Sequence, residues 1–140
     1  MKKQKALNRA RAVCYRTERE RLHFLLVLTR DGNRWTFPGG KIKDGEEEIA
    51  AAAREVAEEA DAYGRIGDEI ERDEADDHSL VATFLMHVTS GDLKPPETWR
   101  LPTWFDEHQA RAVLRTGRTK PDQRKWLRTL ARAAKAVRKS

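Results

Sequence analysis

The run from Gly40 to Ala62, GKIKDGEEEIAAAAREVAEEADA, constrains this chain more than any other segment. Read as a helix, it places Ile49, Ala53, Val56 and Ala60 on one stripe, spaced to pack against a sheet. Glu55, Glu58 and Glu59 stand at i, i+3 and i+4 and cluster on a different face. Three carboxylates this close repel one another. A bound divalent cation is the usual compensation, because hard cations take oxygen ligands. A Glu-rich run on a helix is otherwise a solvated face. That reading makes no demand on Pro38-Gly39-Gly40 ahead of the helix, on Glu46, or on the spacing between them.

The spacing is specific. Gly40, five residues, Glu46, seven residues, then Arg54-Glu55-Val56-Ala57-Glu58-Glu59 resembles the box of the Nudix hydrolases, and the lead-in Trp35-x-Phe37-Pro38-Gly39-Gly40 matches as well. One position departs: Asp61 stands where the family has a glycine that ends the helix in a left-handed conformation. Asp tolerates that conformation better than most residues, at about 1–2 kcal/mol. The resemblance implies Glu55 and Glu59 as the main ligands of Mg2+ or Mn2+, with Glu58 a ligand or the general base. It also implies that Arg54 pairs with Glu46, and that Gly39 and Gly40 supply the backbone path and a carbonyl ligand. In that fold Arg9, Arg16, Arg34 and Lys41 are the phosphate-binding candidates. Within the family the chain looks most like the diphosphoinositol polyphosphate and diadenosine polyphosphate hydrolases. The residues carrying this are Arg9, Cys14 to Glu20, Arg34-Trp35 and Trp104-Phe105.

The rest of the chain fits one domain over residues 1–140. Residues 10–16 and 21–29 read as two strands joined by a polar turn. The second, Leu22 to Leu28, is nearly all apolar, as a strand covered on both faces would be. Residues 35–37 read as a short strand before a Pro-Gly-Gly loop whose glycines let the backbone approach a ligand. The box helix starts between Asp44 and Glu48, with Asp44 or Glu47 as cap. Residues 65–71 form a weak strand, 72–78 a charged loop, 80–89 a strand, and 98–105 an edge strand broken by Pro102. Asp106 caps a helix to Leu114, and a last helix runs from about Pro121 to Val137. Strands interleaved with helices suggest a mixed sheet between helical layers. The Nudix resemblance implies the same α/β/α sandwich, with the box as loop-helix-loop.

Net charge is +5, unevenly spread: both ends are basic, and the middle from Asp44 to Asp77 is acidic. A basic rim around an acidic metal centre suits a polyanionic small molecule. Phosphoanhydride hydrolysis then needs charge neutralisation and an aligned water rather than covalent help. The expected substrate is a nucleoside diphosphate linked to another moiety, such as a dinucleoside polyphosphate. The alternatives are a diphosphoinositol polyphosphate, or a non-catalytic module binding RNA or protein. Degenerate binders would lose box carboxylates, and Glu46, Glu55, Glu58 and Glu59 are all present. No specific nucleic acid and no membrane partner are expected: no apolar run approaches the roughly 20 residues of a span, and Met1-Lys2-Lys3-Gln4-Lys5 is not followed by a signal-peptide core. A cytoplasmic protein is the default reading. Cys14 is the single cysteine, expected as a buried thiol in a strand, so neither an intrachain disulfide nor a cysteine zinc site is available. The oligomeric state is left open.

Overall fold

A computed structural model describes residues 7–75 and 78–139. Seven strands form a mixed sheet. In chain order they are β1 (Leu7–Glu18), β2 (Arg21–Leu28), β3 (Trp35–Thr36), β4 (Gly39–Lys41), β5 (Tyr63–Glu74), β6 (Leu80–Ser90) and β7 (Thr103–Asp106). The helices are α1 (Glu48–Ala60), α2 (Glu107–Arg115) and α3 (Lys120–Lys139). The sheet order is β3-β2-β1-β6-β5, with β4 on β1 and β7 on β2. β1 is the hub: antiparallel to β2 and β4, parallel to β6.

The two-residue period of a strand builds two cores from the same strands. Ala12 and Cys14 of β1 with Leu25 and Val27 of β2 meet Val56 and Ala60 of α1. Their neighbours Val13, Phe24 and Leu26 face the other way, onto Leu114 of α2 and Leu130 and Ala133 of α3. All are fully buried. Each large side chain so buried contributes about 1.5–3 kcal/mol, which explains why Leu22 to Leu28 carries almost no polar residue. Burial also pushes the Cys14 thiol well above its usual range, so it packs as a small apolar group.

Several boundaries differ from the sequence reading. β1 and β5 run longer, and Arg72, Asp73 and Glu74 belong to β5, paired with Ala82, Val81 and Leu80, rather than to a loop. Cross-strand hydrogen bonding overrides their poor strand propensity. Asp76 and Asp77 of the expected charged loop lie outside the described residues. Gly39–Lys41 is a strand on β1, not a free loop. Thr98–Arg100 is a 3-10 turn ended by Leu101 at φ 43, so the expected strand is confined to Thr103–Asp106, at the edge beside β2. α1 starts at Glu48 with Glu47 in the cap position but without a side-chain cap bond. Asp106 does cap α2, in a reciprocal capping box with Gln109.

The buried face of α1 is also rotated from the expected one. It carries Ala51, Ala52, Val56, Glu59 and Ala60, while Ile49 is 37% exposed and Ala53 half-buried. Four consecutive alanines leave the apolar direction poorly marked, and docking on β1 decides it. Glu59 is therefore on the buried side, apart from the exposed Glu58. Asp61 adopts the left-handed conformation, φ 50 and ψ 51. Its carboxylate accepts the Lys94 amide at 3.2 Å, an interaction that a glycine could not make.

Candidate active site

The register of β4 on β1 sets Arg9 opposite Lys41, Ala10 opposite Gly40 and Arg11 opposite Gly39. Both glycines are there because of close approach. A Cβ on Gly39 would stand 2.3 Å from the Arg11 Cβ, and one on Gly40 would stand 2.5 Å from Glu55 Oε1. The Glu55 carboxylate thus lies directly over the Gly40 backbone. One turn further along α1, Glu59 accepts the Gly39 amide at 3.0 Å and pairs with Arg100 at 2.9 Å. These residues share one cleft of about 940 Å³ with Arg9, Lys41, Arg11, Arg30 and Trp126.

Burial raises the Glu59 carboxyl to about 7, outweighing the Gly39 amide and Arg100, which both favour its charged form. Burial also raises Glu55, against the pull of Arg54. Arg54 is the counter-charge of the whole segment. It holds Glu46 in a two-pronged pair at 2.8 and 3.0 Å, reaches Glu55 at 3.1 Å and Glu58 at 3.2 Å, and donates to the Lys41 carbonyl at 3.0 Å. With the Lys43 amide, this pair holds the Glu46 carboxyl down at about 2. The loop before α1 is in this way tied to both β4 and the helix.

Of the residues singled out in the sequence, Gly39, Gly40, Lys41, Arg54, Glu55, Glu59 and Arg9 gather here. Glu58, 54% exposed on its side chain, stands at the margin, where Arg54 pairs with it. Arg34 lines a recess that adjoins the cleft. Arg16 is not brought in. It lies seven residues along β1 from Arg9, roughly 23 Å in an extended strand, where it pairs with Glu18 at 2.9 Å and covers Trp104. Arg11, Arg30 and Arg100 were missed. Strand parity could have found Arg11, which shares a strand face with Arg9. Arg100 carries no local signal, because the turn that delivers it to Glu59 exists only in the folded chain.

Among the described residues, no three of His, Cys, Asp and Glu stand arranged to hold a metal ion. The donor chemistry nevertheless fits a divalent cation. Two acidic side chains with raised pKa values face the β4 backbone at Gly39 and Gly40, and guanidinium groups meet their charge.

A family model of the NUDIX domain matches residues 7–130. The chain is a member of the Nudix family. It is 34% identical over 113 residues to the mouse diphosphoinositol polyphosphate phosphohydrolase 3-alpha, covering 76% of this chain and 68% of that protein. It is 42% identical over 59 residues to the rat diphosphoinositol polyphosphate phosphohydrolase 2, covering 42% of this chain and 33% of the relative. The fold superposes on a C. elegans Ap4A hydrolase binary complex with a TM-score of 0.67 at 25% identity, over 88% of this chain and 98% of the other. The E. coli ORF135 protein shares the fold alone, at 19% identity and a TM-score of 0.64 over 96% of this chain and 92% of that one. This Nudix chain is a pyrophosphohydrolase of the class acting on phosphoanhydrides, and Nudix enzymes generally need divalent metals.

The glycine contacts give a direct expectation. Gly40→Ala should lower hydrolysis at least tenfold while helix content stays unchanged, because the added methyl displaces the Glu55 carboxylate rather than a core side chain. Circular dichroism and initial rates on the same preparation check both halves. Unchanged rates would mean that Glu55 need not stand over Gly40.

Proposed function

We propose that this Nudix enzyme uses Mg2+ or Mn2+ to hydrolyse a phosphoanhydride bond in a nucleoside diphosphate linked to another moiety, such as a dinucleoside polyphosphate. The observation that carries this reading is the pairing of Glu55 and Glu59 over Gly39 and Gly40, in a cleft with Arg9, Lys41 and Arg100 on its walls. Glu55, Glu59 and the Gly40 carbonyl would hold the ion, with Glu58 as a further ligand or the base. When bound, the ion neutralises phosphate charge and acidifies the attacking water. The chain's own part is positional. Arg54 fixes α1 against the loop that carries Glu46, and Arg9 and Lys41 draw in the phosphates opposite the carboxylates.

A second reading, hydrolysis of diphosphoinositol polyphosphates, is favoured by the names of the 34%-identical relatives. Asp73 and Glu74, on the wall of the adjoining recess, weigh against it, although Arg11, Arg34, Arg118 and Lys125 line the same recess. A densely phosphorylated inositol beside carboxylates is repelled unless cations intervene. The expected result is a higher kcat/KM for a dinucleoside polyphosphate than for a diphosphoinositol polyphosphate at fixed magnesium. The reverse order would make the inositol compound the substrate.

A nucleic-acid role for the basic residues of α3 is disfavoured by their partners. Arg128 pairs with Asp73, Arg132 with Glu71 and Arg138 with Glu107, so acidic groups of the same fold already meet their charge. Hydrolysis should be indifferent to added RNA, and any RNA binding should fall steeply with salt. Tight, saturable RNA binding at physiological ionic strength would support the binding-module alternative.

A further inference from the structure

Both carboxylate oxygens of Glu59 are engaged within the fold. Oε1 accepts the Gly39 amide at 3.0 Å, and Oε2 pairs with Nη2 of Arg100 at 2.9 Å. The two partners differ in kind. The Gly39 amide belongs to β4, registered on β1 with Gly39 opposite Arg11, so it cannot withdraw without disturbing the sheet. Arg100 is a side chain with a full charge. Its guanidinium fixes the carboxylate and also holds a positive charge where a cation would come.

The 3-10 turn Thr98–Arg100 delivers this guanidinium, and each of its nitrogens has its own partner. Nε pairs with Glu97 at 3.3 Å, Nη1 donates to the Leu28 carbonyl at 3.2 Å, and Nη2 takes Glu59. The guanidinium lies over the Trp99 ring, 4.2 Å from its centroid. A planar fork meets fixed partners of this kind with little further loss of freedom. Glu97, Leu28 and Trp99 remain to Arg100 when its bond to Glu59 is given up.

Both side chains of the pair are largely buried. Removing one partner of such a pair leaves the other charge buried and uncompensated. A divalent cation on Glu59 would supply the compensation in place of Arg100. Arg30 lines the same cleft, but it is exposed and pairs with Glu97 rather than with Glu59.

We infer that Arg100 is a positioning residue that sets the ion affinity of the site, by competing with a divalent cation for the Glu59 carboxylate. This rests on the reading of Glu59 as an ion ligand. Arg100 acts through Glu59 alone in this role. Its removal therefore favours the ion, and at the same time makes the stability of the folded chain depend on the ion.

The test reads ion binding rather than turnover. Mn2+ is titrated into the full, substrate-free chain at pH 8 and fixed ionic strength, and the free ion is followed by electron paramagnetic resonance. Arg100→Gln should tighten Mn2+ binding at least fivefold. Arg30→Gln, the same charge change on the same cleft wall, should alter it less than twofold, and so should Arg100→Lys, which keeps the charge. Chemical denaturation gives an independent reading. In chelator, Arg100→Gln should unfold at a lower denaturant midpoint than the parent. An excess of Mn2+, the same for both proteins, should close at least half of that gap, because the folded state that binds the ion more tightly is stabilised more. Three results each overturn the inference while leaving Glu59 a ligand: unchanged or weaker Mn2+ binding in Arg100→Gln, equal tightening in Arg30→Gln or Arg100→Lys, or a gap that Mn2+ leaves intact. A parent that binds no Mn2+ overturns the ion assignment itself, and the inference with it.

Discussion

Glu59→Gln is expected to lower magnesium-supported hydrolysis by about two orders of magnitude or more, since ion-based charge stabilisation contributes several kcal/mol to such reactions. Glu59 is 7% exposed, lines the cleft and accepts the Gly39 amide, so the shape-conserving amide keeps that hydrogen bond while removing the charge. The variant should fold, because a neutral side chain at this depth relieves the desolvation that raises the Glu59 pKa. Initial rates at saturating magnesium decide the matter. Turnover within twofold of the parent would remove Glu59 from the site.

The same residue should write its titration into the stability of the metal-free protein. Its folded pKa, about 7, lies above the ordinary carboxylate value of 4.5. The folded state therefore holds a proton that the unfolded state releases in that interval. Stability falls as pH rises through this window, by about 3 kcal/mol in total from this group. Below pH 4.5 both states are protonated, and above 7 both are ionised, so the slope flattens at each end. Glu55, also raised, adds a slope of the same sign. Glu46 acts oppositely: its depressed pKa gives stability that is lost only as pH falls from 4.5 toward 2. Chemical denaturation in chelator from pH 4.5 to 8 should show the decline in the parent and a shallower one in Glu59→Gln. Magnesium should restore the parent at pH 8, because an ion that binds only the folded state stabilises it by mass action. Parallel curves for parent and variant would mean that Glu59 is ionised throughout.

Two kinds of information about this protein separate along physical lines. Features governed by neighbours a few residues apart were legible in the sequence. The box spacing marked Arg54, Glu55 and Glu59. The unbroken apolar run of β2 announced a strand covered on both faces, Asp106 announced a helix start, and Asp61 announced a left-handed helix end. Features that depend on which distant segments meet were not legible. The buried side of α1 was misread because four alanines look alike from every direction, so the sheet beneath them, and not the helix pattern, made Glu59 a buried acid. Arg16 looked equivalent to Arg9 in the sequence, yet the length of β1 carries it to the far end. Arg11 binds Thr83 across 72 positions, Arg118 binds the Trp35 carbonyl across 83, and Arg100 reaches Glu59 from a turn that no local pattern marks. Side-chain periodicity tells which way a residue points within its own element. Only the sheet order, with β1 between β2 and β6 and with α3 laid across its face, decides which charges share a cleft.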